Sequence, residues 1–119
     1  MRDHTKLKAF HLADETALAV YKATSDFPRS EVFGLTAQMR RSAVSVPSNI
    51  VEGCARHTEA DYLRFLDTAF ASAKELRYQL SLGRRLGFLP GGSEAEALAG
   101  QSVRVLGGLI RALRAREAR

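Results

Sequence analysis

Few side chains in this sequence have the types needed for chemistry, and their spacing rules out most of it. Cys54 and His57 stand three residues apart, which brings two side chains to one face of a helix. A zinc ion needs three or four such ligands, and nothing nearby supplies the others. Ser42, Ser45 and Ser48 lie along one helical stretch with no neighbouring histidine to act as a base and no strand-to-helix elbow. No Glu-x-x-His pair occurs, so a carboxylate-bridged metal site in a helical bundle is not predicted. Gly91-Gly92 and Gly107-Gly108 lack the strand and phosphate-loop context of nucleotide sites. His4 and His11 read as surface residues of the first helix. The sequence predicts no enzyme, metal or cofactor.

Charge remains. The 119 residues carry 18 Lys and Arg against 13 Asp and Glu, a net charge of +5. The last seventeen hold five arginines and one glutamate. At helical spacing Arg104, Arg111 and Arg114 fall on one side of the last helix, with Arg116 and Arg119 beyond. Lys74, Arg84 and Arg85 add to the outer side of the helix before it, and Arg40 to the second helix. Guanidinium and ammonium groups arrayed this way suit phosphates. With no aromatic platform or base-reading motif beside them, the predicted contact is indifferent to nucleotide sequence.

The elements that carry these residues all read as helices. Helix 1 is predicted from about Lys6 to Ser25, with Leu7, Phe10, Ala17, Leu18 and Tyr21 on its core arc. Pro28 ends it by disfavouring helical geometry at Phe27. Helix 2 opens near Thr36, or a turn earlier at Ser30, and runs to about Ala55, with Pro47 predicted to kink it. Thr58 and Asp61 form a capping-box variant opening helix 3, where Tyr62, Leu66, Ala69, Ala73, Leu76, Leu80 and Gly83 keep a bundle seam. Gly87 is its stop. Ser93 and Glu96 open helix 4, which runs to about Arg116 with Leu98, Val105, Leu106, Leu109, Ile110 and Leu113 inward. Short connections imply antiparallel neighbours, so the prediction is an all-α, up-down-up-down four-helix bundle forming one domain over residues 1–119.

Helix 2 is the unusual one. At 100° per residue, Leu35, Met39, Ser42, Val46, Asn49, Ile50 and Gly53 share its core face. Arg41, Ser45, Ser48 and Glu52 form a ridge beside it. A buried Asn49 needs partners, and helix 3 offers Thr68, Ser72, Glu75 and Gln79. The sequence therefore predicts a structural polar seam of Arg41, Asn49, Glu52, Ser72, Glu75 and Gln79. Ala37, Val44, Val51 and Ala55 lie opposite the core. A helix apolar on two opposed faces is normally buried on both, so this line is predicted to be an oligomer interface.

"QMRRSAVSVPSNIVEG", with "YKATSDFPRSEVFGLT" before it and "RHTEADYLRFLDTAFASAKELRYQL" after, resembles a family of small bacterial four-helix bundles. These proteins are encoded by intervening sequences within 23S ribosomal RNA genes, and the accessory variability proteins of diversity-generating retroelements are related to them. The resemblance spans roughly Phe10 to Leu89. Its R-R-x-x-x-S-x-P-x-N-I-x-E-G pattern falls on Arg40, Arg41, Ser45, Pro47, Asn49, Ile50, Glu52 and Gly53, and Phe27, Pro28, Glu75, Gln79 and Leu80 also match. Arg77 departs from it, standing where members often carry an acid. The resemblance implies a homopentameric assembly and, for the retroelement relatives, binding to nucleic acid and to a reverse transcriptase.

Two functions follow as expectations. One is an oligomeric accessory protein that binds RNA or DNA without sequence preference. The other is a protein-binding scaffold with no nucleic-acid role. The lone cysteine cannot make an intrachain disulfide, the N-terminus lacks an apolar signal region, and no window approaches a membrane span. A cytoplasmic location without membrane contact is the expectation.

Overall fold

In a computed structural model that describes residues 1–118, four helices account for most of the chain. They are α1 (Lys8–Thr24), α2 (Leu35–Cys54), α3 (Glu59–Arg85) and α4 (Glu94–Glu117). A 3-10 turn, His4–Lys6, precedes α1, and another, Arg29–Glu31, precedes α2. The helix ends are written in local chemistry. Thr58 Oγ1 accepts the amide of Asp61 to start α3, and Ser93 Oγ accepts the amide of Glu96 to start α4. Gly87 ends α3 at φ +82°, with Gly87 N–H donating to the Arg84 carbonyl and Phe88 N–H to that of Gly83. That pair of bonds is a Schellman cap, and its left-handed residue is the reason for glycine.

Cross-helix bonds give the topology. Ser42 meets Glu75 and Ser45 meets Ser72, so numbers rise along α2 as they fall along α3. Arg40 meets Thr24 on α1, while Arg2 N–H donates to the Cys54 carbonyl at the far end. Arg84 pairs with Glu96 and Arg114 with Asp67. Each helix is antiparallel to the next, and α4 closes the square against α1. No helix among the described residues is long and apolar enough to cross a membrane.

Two apolar clusters fill the bundle. Ile50, Tyr62, Leu66 and Leu106 lead one; Val20, Met39, Leu76 and Leu80 lead the other. Between them lies a waist to which each helix gives two residues three apart: Ala13 and Thr16, Ala43 and Val46, Ala73 and Leu76, Ala99 and Ser102. Mostly small side chains here let the four backbones draw close. At the other tight spot Gly53 faces α3, where a Cβ would lie 2.9 Å from Phe65 Cβ and 3.3 Å from the Tyr62 carbonyl oxygen.

The α1 arc differs from the sequence expectation. Its buried residues are Ala9, Leu12, Ala13, Thr16, Val20 and Thr24, whereas Leu18 is 68% exposed and Tyr21 44%. Thr16 and Thr24 tolerate burial because their hydroxyls donate to the carbonyls of Leu12 and Val20 at 2.6 and 2.7 Å. Self-satisfied threonines and alanines took the narrow core, and the larger Leu18 and Tyr21 turned outward.

Gly53→Ala should therefore destabilise the fold despite alanine's better helix propensity. A net loss of about 1–2 kcal/mol in chemical denaturation is expected. Unchanged stability would show that α2 and α3 can part without cost.

Candidate functional site

The outer groove between α3 and α4 collects the basic residues. Arg77 and Arg104 face each other across a cleft of about 370 Å³ that also takes in Gln101, Gly100 and Glu96. Two helical turns further along the groove, Phe70, Gly107 and Arg111 line a second hollow beside Asp67. The glycines of α4 shape both places. A Cβ on Gly100 would stand 3.7 Å from Arg104 Nη1, and one on Gly107 would stand 3.4 Å from Arg111 Nη1 and 3.1 Å from Phe70. Arg104 and Arg111 thus fold back along their own helix over bare backbone, as helical side chains lean toward the N-terminus.

Not every predicted cation is available. Arg84 Nε donates to Glu96 Oε1 at 3.0 Å, and Arg114 is bonded to Asp67. These pairs bracket the groove at its two ends and neutralise the arginines in them. Arg40 is a clearer correction. Its guanidinium lies on the α1 side of α2, donating to Thr24 Oγ1 at 2.8 Å and lying over the Tyr21 ring at 4.6 Å, so it belongs to the opposite side of the bundle. Arg85 donates to the Ser81 carbonyl and approaches Tyr78. Lys74 is exposed on the outer side of α3, and Arg116 is exposed beyond the groove. Arg119 lies outside the described residues. Lys74, Arg77, Arg104 and Arg111 have no acidic partner among the described residues. Arg77, seven residues from both Phe70 and Arg84, is legible in the sequence as added positive charge on helix 3, but its place in the groove is not.

The polar seam also rearranges. Ser42 Oγ donates to Glu75 Oε1 at 2.7 Å, the hydroxyls of Ser45 and Ser72 share a hydrogen bond of 2.8 Å, and Gln79 Nε2 reaches Glu75 at 3.4 Å. Asn49 does not cross to α3. Its amide donates to the carbonyl and hydroxyl of Ser45, and Ser45 carries the link onward. Glu52 leaves the seam altogether for an exposed pair with Arg56 one turn on. Arg41 lines a separate hollow over the seam, between α2 and α3 with Gln38 and Glu75, but stays exposed. The crossing bonds come from Ser42 and Ser45, residues that the sequence placed on the core face and the ridge without giving them the lead. Ala55, Val44 and Val51 are exposed, the valines by 41% and 37%, and Ala37 is half-buried.

Cys54 and His57 are divided, one buried in the core and the other on the surface. Burial pushes the Cys54 thiol up from its ordinary range, and burial likewise pushes the neighbouring Tyr62 hydroxyl up to about 12. A thiol held protonated at neutral pH is a packing group rather than a nucleophile.

A four-helix bundle with a packed core and a cationic outer groove is the class of protein defined here. The family model for the 23S rRNA-intervening sequence protein matches residues 5–108, and the chain belongs to that family. No curated protein matches the chain significantly.

Ser42→Ala is expected to cost about 1 kcal/mol of stability, because it removes a buried donor to a carboxylate. Glu52→Ala should change stability by less than about 0.5 kcal/mol, since an exposed ion pair contributes little. Equal melting losses in the two variants would put Glu52 back in the seam.

Proposed function

We propose that this protein is a non-enzymatic accessory protein that associates with itself and holds RNA or DNA by its phosphates along the α3–α4 groove, in the cytoplasm. The observation carrying this reading is the sorting of charge within the groove. Asp67 and Glu96 are spent on Arg114 and Arg84 at its ends, while Arg77, Arg104 and Arg111 between them, with Lys74 one turn from Arg77 on the outer side of α3, keep their charge for a partner. An accessible cation is what counterion release rewards, and a paired one is not. The family's association with a ribosomal RNA gene is compatible with such a partner.

Self-association is the second half of the reading. Val44 and Val51 stand four and eleven residues after Arg40, whose guanidinium lies over Tyr21, so by helical spacing they share the outer α1–α2 side with exposed Leu18 and Tyr21 of α1. Together they extend the α2 line into a two-helix apolar surface on the side of the bundle away from the groove. A homo-oligomer, a pentamer by resemblance, would cover it and repeat the groove around the assembly. The same surface supports the scaffold alternative, in which it receives a different protein, such as a reverse transcriptase, and no nucleic acid is bound.

Light scattering should give a mass several times the 13.1 kDa of one chain. Val44→Glu should return it to a single chain with helicity kept, because an unpaired charge at an interface is strongly unfavourable. A monomeric wild type would end the assembly reading.

Fluorescence anisotropy with mixed-sequence RNA and DNA at about 50 mM salt tests the groove. Affinity should fall steeply as salt rises, and Arg104→Gln with Arg111→Gln should flatten the log–log slope by about 1.5 to 2, with assembly intact. Absence of binding by the assembled wild type would leave the scaffold reading in possession.

A further inference from the structure

The outer face of α3 holds a ring that the groove does not use. Tyr78 is 59% exposed, and the Arg85 guanidinium stands 6.0 Å from its ring centroid, at the limit of a cation–π contact. Lys74 comes four residues earlier, which places it on the same face one turn away. Arg77 adjoins Tyr78 in the chain and turns toward α4, where it shares the cleft with Arg104. Exposed Ala71, a further turn along, has no bulk to screen the ring on that side. A half-bare aromatic ring among three cations suits one ligand best. Phosphates meet the charges while an unpaired base covers the ring, and a duplex cannot offer this because its bases are stacked on one another.

We propose that the α3 face binds single-stranded nucleic acid, with one base stacked on Tyr78 and the flanking phosphates held by Lys74, Arg77 and Arg85. This rests on the nucleic-acid reading of the groove and adds to it a preference for strands with free bases. The ring reads base faces and not the 2′-hydroxyl, so RNA and DNA strands should bind alike.

The test compares short labelled single strands of RNA and DNA with the matched duplexes, using the full chain, its Tyr78→Ala and Tyr78→Phe variants and the Arg104→Gln/Arg111→Gln variant. Wild type should favour single strands over duplex. Tyr78→Ala should weaken single-strand binding about tenfold and leave duplex binding alone, whereas Tyr78→Phe should keep both. The chain has no tryptophan, so tyrosine emission is readable directly. Part of that emission should be quenched when wild type binds, and the quenching should vanish in Tyr78→Phe although binding persists. Single-strand binding unchanged in Tyr78→Ala, or duplex bound as tightly as single strand by wild type, would overturn the stacking. If the arginine double variant loses binding while Tyr78→Ala retains it, the groove stands and the stacked base falls. If wild type binds no nucleic acid, both fall together.

Discussion

The close pairing of α2 with α3 is the constraint on which the other features depend. Gly53 lets α2 settle onto Phe65 and Tyr62 at one end, and the bonds of Ser42 to Glu75 and of Ser45 to Ser72 fix the alignment further along. Apolar packing alone is a weak judge between neighbouring alignments, since leucine and alanine knobs accept more than one set of holes. A serine that has lost its acceptor is a much sharper judge, because a buried hydroxyl without a partner costs about as much as the bond is worth or more. A slip of one turn would move Ser42 off Glu75 and drive Gly53 away from Phe65 together. The seam therefore specifies the bundle more than it stabilises it.

With that alignment set, each side of the square bundle acquires its own character. The side of α3 away from α2 meets α4, and there the facing residues are charged: Asp67 with Arg114, Arg77 with Arg104, Arg84 with Glu96. The side of α2 away from α3 meets α1, and there Leu18, Tyr21, Val44 and Val51 are exposed, with Arg40 lying over the Tyr21 ring. Apolar and basic surfaces thus end up back to back. A partner on one leaves the other open.

The helices and their caps were legible because they are local. Thr58, Ser93 and Gly87 act within a few residues of themselves, and the α3 seam repeats without interruption. The orientation of α1 was not legible, because threonine reads as polar until its hydroxyl bonds one turn back along its own helix and frees the side chain for burial. The availability of each arginine was not legible either. Arg84 and Arg114 read in the sequence as exposed helical arginines just as Arg104 and Arg111 do, and the arrival of Glu96 and Asp67 from the facing helix separates them. Glu52 shows the converse: the pattern placed it beside the seam, but a nearer cation on its own helix took it. Tyr78 was visible as a letter, yet its meaning depends on a face that exists only once α3 has turned its alanines and leucines inward.

The back-to-back placement also bears on how strongly so small a protein could hold a long polymer. A groove with four accessible cations supplies only a few phosphate contacts, and each is screened within about 10 Å at ordinary salt. Repeating the groove by covering the apolar side with further copies adds no new kind of contact. It raises the effective concentration of the second groove once the first is filled, and avidity then grows by orders of magnitude as long as one strand can reach both. Linkage makes the effect mutual: a polymer that prefers the assembled form must itself favour assembly. The apolar surface and the cationic groove lie on opposite sides of one bundle, too far apart to touch, yet through assembly they would form a single thermodynamic device.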